Sequence, residues 1–212
     1  DGDGQSKSQE ARAAARAFVA QMNSSYDRAG VVGYNDTDFT GTEPASYIHQ
    51  TSSGEYITSD FGSPGPTASD GINGSINQLS AAAGTNMGAG LHDGNVIFGL
   101  KSNSSQNKVM ILLADGQNSK TSYRDDAFDE AEVADKEGIT IHTIGFGDLS
   151  NQANQTMKTI AQTTGGTYRY VDNSEDLSAV FVDLFAEISE SKQIVRDPFS
   201  MELQAGATTY YP

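Results

Sequence analysis

Lys108-Val109-Met110-Ile111-Leu112-Leu113-Ala114, closed by the turn pair Asp115-Gly116, is the stretch on which the fold turns. Its apolar residues follow one another without the gaps that a helical stripe or a one-sided strand needs, and the run is too short for a helix. It therefore reads as a strand buried on both faces, as in a parallel sheet covered by helices. Downstream, Gly138-Ile139-Thr140-Ile141-His142-Thr143-Ile144-Gly145-Phe146 is β-branched with glycines near its ends and reads as a second internal strand. Upstream, Ala29 to Tyr34 (AGVVGY) reads as a third, and Thr167 to Val171 as a short fourth.

Helices are expected between these strands. Ala11, Ala14, Ala15, Phe18, Val19 and Met22 form an i, i+3, i+4, i+7, i+8, i+11 stripe, and Leu177, Val180, Phe181, Leu184, Phe185 and Ile188 repeat it. Further helices are expected near 69–82, 87–100, 123–137 and 152–164, the first weakened by Gly71 and Gly74. Residues 35–70 are rich in Asp, Thr, Ser, Gly and Pro around Tyr47-Ile48 and Tyr56-Ile57, and read as a loop-rich excursion with short edge strands. This alternation predicts an α/β fold, doubly wound and mostly parallel, with helices on both faces and ligand sites at the carboxyl ends of the strands. Beyond Gln193, Phe199, Met201, Leu203 and Ala205 alternate with polar residues, so 193–212 is expected to be a linker or a β-strand of a neighbouring module, a C-terminal β extension, with a disordered exit tail as the alternative.

Composition excludes several functions. Among 212 residues there is no cysteine, which removes thiolate metal sites and cysteine nucleophiles. A formal charge of −15 repels phosphate backbones, so nucleic acid is not an expected partner. No apolar run reaches the roughly 18 residues of a membrane span. The chain opens on Asp1-Gly2-Asp3-Gly4, which reads as the start of a fragment. His49, His92 and His142 show no ligand spacing, and His142 is expected as a packed strand residue. The acidic run Asp125, Asp126, Asp129, Glu130, Glu132, Asp135 and Glu137 reads as a solvated helix face, with weak calcium binding or salt adaptation as the minor alternative. No Gly-x-Ser-x-Gly elbow or Walker loop occurs, and no enzyme is expected. Asn-x-Ser/Thr sequons at Asn23, Asn35, Asn73, Asn103 and Asn154 mark possible glycosylation.

The series Ala83-Gly84-Thr85-Asn86-Met87-Gly88-Ala89-Gly90-Leu91, Val109 to Gly116, Ile139 to Gly147, Thr164-Gly165-Gly166-Thr167-Tyr168 and Leu177-Ser178-Ala179-Val180-Phe181 resembles, in order and spacing, the von Willebrand factor A domain. Arg28 to Tyr34 also resembles that family's second strand. The phrasing is closest to archaeal and bacterial surface members, and the resemblance places 1–192 in one domain. It implies a sheet of order 3-2-1-4-5-6 and a metal-ion-dependent adhesion site on the upper rim, where Thr85 and Asp115 match two ligand positions. Asn86, Gln117 and Asp148 fall where a partner-binding rim is expected. The implied cofactor is Mg²⁺, or Mn²⁺ or Ca²⁺, whose hard oxygen ligands such loops supply.

The chain departs from the family in lacking Asp-x-Ser-x-Ser and the first strand that carries it. Asp1-Gly2-Asp3-Gly4-Gln5 has carboxylates but neither hydroxyl. An upstream segment or a second chain is therefore expected to supply that strand, and without it the domain is not expected to fold alone, because each unpaired buried backbone group costs about 1–3 kcal/mol. The implied function is adhesion or protein–protein interaction at a prokaryotic cell surface or in the extracellular space, with a protein or glycan ligand bound through the metal rim. The alternative is a structural subunit of a surface filament or pilus, assembled through Phe199, Met201 and Leu203, with a vestigial metal site.

Overall fold

The computed structural model describes residues 7–36, 46–51, 54–80, 84–101, 107–172 and 176–190. The expected strand over 199–205 and the Asp1–Gln5 segment lie outside them. In chain order the elements are α1 (Lys7–Val19), β1 (Ala29–Tyr34), β2 (Ser46–His49), β3 (Ile57–Thr58), α2 (Gly71–Gln78), α3 (Met87–Lys101), β4 (Lys108–Ala114), α4 (Thr121–Lys136), β5 (Ile139–Phe146), α5 (Asn151–Thr163), β6 (Tyr168–Val171) and α6 (176–190).

The strands form two groups. β4, β5 and β6 are parallel, in register Lys108↔Ile139 through Ala114↔Gly145 and Thr143↔Tyr168 through Phe146↔Val171. β1 pairs antiparallel with β2, from Val31↔His49 to Tyr34↔Ser46, and with β3 through Gly30↔Ile57 and Ala29↔Thr58. Among the described residues no backbone ladder joins β1 to β4.

Helices hold the two groups in one sandwich. Strand alternation sends Met110, Leu112 and Ala114 to one face, packed with Leu91 of α3, Ala127, Ala131 and Ala134 of α4, and Met157 and Ile160 of α5. It sends Val109, Ile111 and Leu113 to the other, packed with Ala14 and Phe18 of α1 and Phe181 and Leu184 of α6. α1 continues past β4 to β1, where Ala15, Val19 and Met22 join Ala29, Val31, Ile72 and Ile76. α3 covers the opposite face of the junction, its glycines letting it approach closely: a Cβ on Gly90 would come 2.9 Å from the Tyr34 ring, and one on Gly94 2.6 Å from Met110 Cε. The glycines that lower helix propensity here are what seat α3 across both groups.

The structure corrects one expectation about the core. Lys108–Ala114 is a strand over the expected residues, but only Leu112 and Ala114 are fully buried, and the residues of β1 are half-buried at most. β4 is the outer strand of its ladder on the side facing β1, so its apolar residues on that side lack a neighbouring strand. Tyr34 crosses the junction with its side chain, its hydroxyl donating to the Leu113 carbonyl at 2.5 Å.

Candidate metal rim

The site lies where β4 and β5 end, and three loops build it. Gly84, at φ 77°, turns the chain into the Thr85-Asn86 pair at the head of α3. Asn86 is buried and caps that helix, its Oδ1 accepting from the Ala89 N–H at 3.0 Å. The Thr85 N–H donates to Ser119 Oγ and the Ser119 N–H to the Thr85 carbonyl, both at 2.9 Å, while the Met87 N–H donates to Asn118 Oδ1 at 2.8 Å. These bonds dock the α3 loop on the turn after β4. A Cβ placed on Gly116 would lie 3.3 Å from Thr85 Oγ1, so the Thr85 hydroxyl stands over the Asp115-Gly116 turn.

Asp115, with its side chain 56% exposed, has the Lys7 ammonium of α1 3.9 Å from its Oδ2. Lys7 also lies 5.9 Å from the Phe146 ring centroid, and a Cβ on Gly147 would approach its Nζ to 2.8 Å. The Tyr34 phenol beneath is held protonated well above its ordinary value, first by burial and then by the Asp115 carboxylate. Behind Gly84 sits Asp36, buried and accepting from the Tyr123 hydroxyl at 3.3 Å, and a Cβ on Gly84 would meet its Cβ at 2.2 Å.

Of the residues expected at the rim, Thr85, Asn86 and Asp115 gather there. Gln117 joins them from the same turn, its Oε1 accepting from Ser150 Oγ at 2.7 Å. Asp148 is exposed beyond β5, and among the described residues nothing joins it to Asp115; the N-cap of α5 is Ser150, whose Oγ accepts from the Ala153 N–H at 3.1 Å. Lys7, Asp36, Asn118 and Ser119 escape sequence reasoning. For the last two the signal available was only their place after the Asp-Gly turn. Of the sequons, Asn23 is exposed, whereas Asn73 is only 6% exposed within α2. Asn154 accepts from the Tyr168 hydroxyl, Asn35 is half-buried, and Asn103 lies outside the described residues.

The Thr85 hydroxyl over the Asp115-Gly116 turn and the exposed Asp115 carboxylate are the hard oxygens that Mg²⁺, Mn²⁺ or Ca²⁺ takes, so the donors fit such an ion in kind. In number they make part of a shell: among the described residues no group of three or more His, Asp or Glu gathers that could hold a metal, so other oxygens, water included, must complete it.

A doubly wound α/β sandwich with such a loop cluster at its strand ends defines the class. The sequence model of the von Willebrand factor type A domain matches residues 4–183, and the chain belongs to that family. Protein sll0103 of Synechocystis sp. is 31% identical over 114 residues, covering 54% of this chain and 26% of the relative, so the chain spans about a quarter of that protein's length. Among solved structures, the vWF domain of the type V pili tip protein Mfa5 from Porphyromonas gingivalis superposes with a TM-score of 0.62 at 15% identity, over 87% of this chain and 89% of that one. Proximal thread matrix protein 1 from the mussel byssus, with a zinc-occupied MIDAS motif, superposes with a TM-score of 0.56 at 21% identity, over 84% of this chain and 39% of that one. At these identities the likeness concerns the fold.

Proposed function

We propose that this domain is an adhesion or protein–protein interaction module of a cell-surface or extracellular protein, and that it engages a carboxylate of its partner at the rim formed by Thr85 and Asp115. The observation that carries this reading is the docking of the Thr85 loop on the turn after β4, which sets the Thr85 hydroxyl over the Asp115-Gly116 turn at an exposed edge. Thr85 and Asp115 would hold the divalent ion, and the ion when bound would supply a Lewis-acidic position for an incoming carboxylate. The Lys7 ammonium, 3.9 Å from Asp115 Oδ2, partly compensates its charge. The pilus-tip and thread-matrix proteins that share the fold support a surface setting. An extended segment lying between β1 and β4 would complete the sheet, and the half-buried apolar residues of β4 support such a partner strand.

The test is calorimetric titration of the chain with MnCl₂ and MgCl₂. Saturable binding is expected, and Asp115→Ala should weaken it at least tenfold while changing stability by no more than about 0.5 kcal/mol, because the side chain is exposed. Equal binding by the variant would remove Asp115 from the site and the metal from the reading.

A further inference from the structure

Next to the rim, between the 117–121 loop and α5, is a pocket of about 130 Å³ lined by Gln117, Asn118, Ser119, Lys120 and Arg124 from one side and by Gln152 and Thr156 from the other. Among the described residues no carboxylate lines it, although the chain carries more than twice as many acidic as basic residues. The hydrogen bonding of its three consecutive loop residues has one direction. Gln117 Oε1 accepts from Ser150 Oγ at 2.7 Å, and the same Oγ accepts from the Ala153 N–H, so its proton points to Gln117. Asn118 Oδ1 accepts from the Met87 N–H, which fixes its amide orientation. Ser119 Oγ accepts from the Thr85 N–H. In each residue the scaffold engages the acceptor, leaving Gln117 Nε2, Asn118 Nδ2 and the Ser119 hydroxyl proton as the remaining donors. Asn118 Nδ2 is buried with no protein partner, the state that a bound acceptor would relieve.

Two cations complete the lining. Lys120 lies 5.1 Å from the Tyr123 ring centroid. Arg124 directs Nε and one terminal nitrogen to Asp125 Oδ1 at 3.2 and 3.0 Å, an exposed pairing of neighbours that leaves further guanidinium protons. Asp125, next in the chain, is held by Arg124.

We infer that this pocket is an oxyanion subsite that accepts a carboxylate from an acidic protein segment, one contact along from the rim. The donors at 117–119, whose acceptor atoms the scaffold already engages, favour an anion on that wall. The volume, on the order of four waters, suits a single carboxylate rather than a ring. Gln117 borders both places, so two acidic side chains of one extended segment could occupy rim and pocket together. The pocket itself requires no metal.

The experiment is an amide ¹H–¹⁵N titration of the 212-residue chain in EDTA, at constant ionic strength, with a blocked Glu-Glu peptide and separately with sodium sulfate. Saturable shifts are expected at residues 117–121 and at the side-chain amides of Gln117 and Asn118. Lys120→Gln combined with Arg124→Gln should weaken peptide binding at least tenfold with the rest of the spectrum retained. Asp115→Asn should not weaken it, which separates this site from the metal rim. Absence of saturable shifts at these residues, or equal binding by the double variant, would overturn the subsite. Tighter binding of sulfate than of peptide would overturn its assignment to a protein carboxylate in favour of a sulfated ligand.

Discussion

Tyr34 carries more of the architecture than its position at the end of a short strand suggests. Its ring packs against the open flank of Gly90 and its hydroxyl donates to the backbone of the facing strand. Tyr34→Phe should lower stability by about 1 kcal/mol at neutral pH, the net worth of one hydrogen bond. Because the folded protein raises this phenol's pKa, the unfolded chain loses its proton first. The contribution is complete below about pH 10 and fades as pH rises toward the folded value. Urea unfolding of both proteins at pH 8 and near pH 11 should show the gap between them narrowing in alkali, and a constant gap would mean that burial does not control the phenol. The aromatic itself was legible at the end of AGVVGY, but its partner was not, because Leu113 lies 79 residues away and nothing local specifies the pairing. The pocket donors are similar: Gln117, Asn118 and Ser119 look like ordinary turn residues until Ser150, Met87 and Thr85 orient them.

At the scale of elements, β5 and β6 show how sequence and structure agree. Ile139–Phe146 and the helices on either side fall within a residue or two of their expected places, since periodicity and flanking glycines are local signals. His142 sits in β5 as a packed residue, with its Nδ1 accepting from the Thr167 N–H at 3.2 Å and lying 2.9 Å from Thr167 Oγ1. Burial lowers its pKa, Glu187 opposing and Arg169 adding to the effect, so the fold holds the ring neutral. Its stabilising contribution is complete above about pH 6.5 and is lost as pH falls through the folded value, and the buried His49 shifts in the same direction. An NMR titration should give His142 a midpoint below about 6.5; a midpoint at or above that would contradict the neutral, N–H-accepting ring. What the element patterns could not reveal was the exposure of β4. An apolar run states what a strand can bury, whereas the neighbours it obtains depend on which other strands are present.

For the whole molecule, backbone pairing is strong within each strand group and missing between them among the described residues. Hydrogen–deuterium exchange should reflect this. Amides of β5, paired on both sides, should exchange at least tenfold more slowly than those of β1 and β4 that face the junction. Uniform protection across β1, β4 and β5 would show that the junction is closed by a paired strand. The two groups are bridged by α1, by α3 and by the Tyr34 phenol. Among the described residues, tension applied across the domain therefore meets a seam of side-chain contacts, which shear one by one, instead of a ladder of backbone bonds, which resist together. In an anchored protein that seam would set the load at which the two halves part, and a strand laid into it would act as a mechanical fastener.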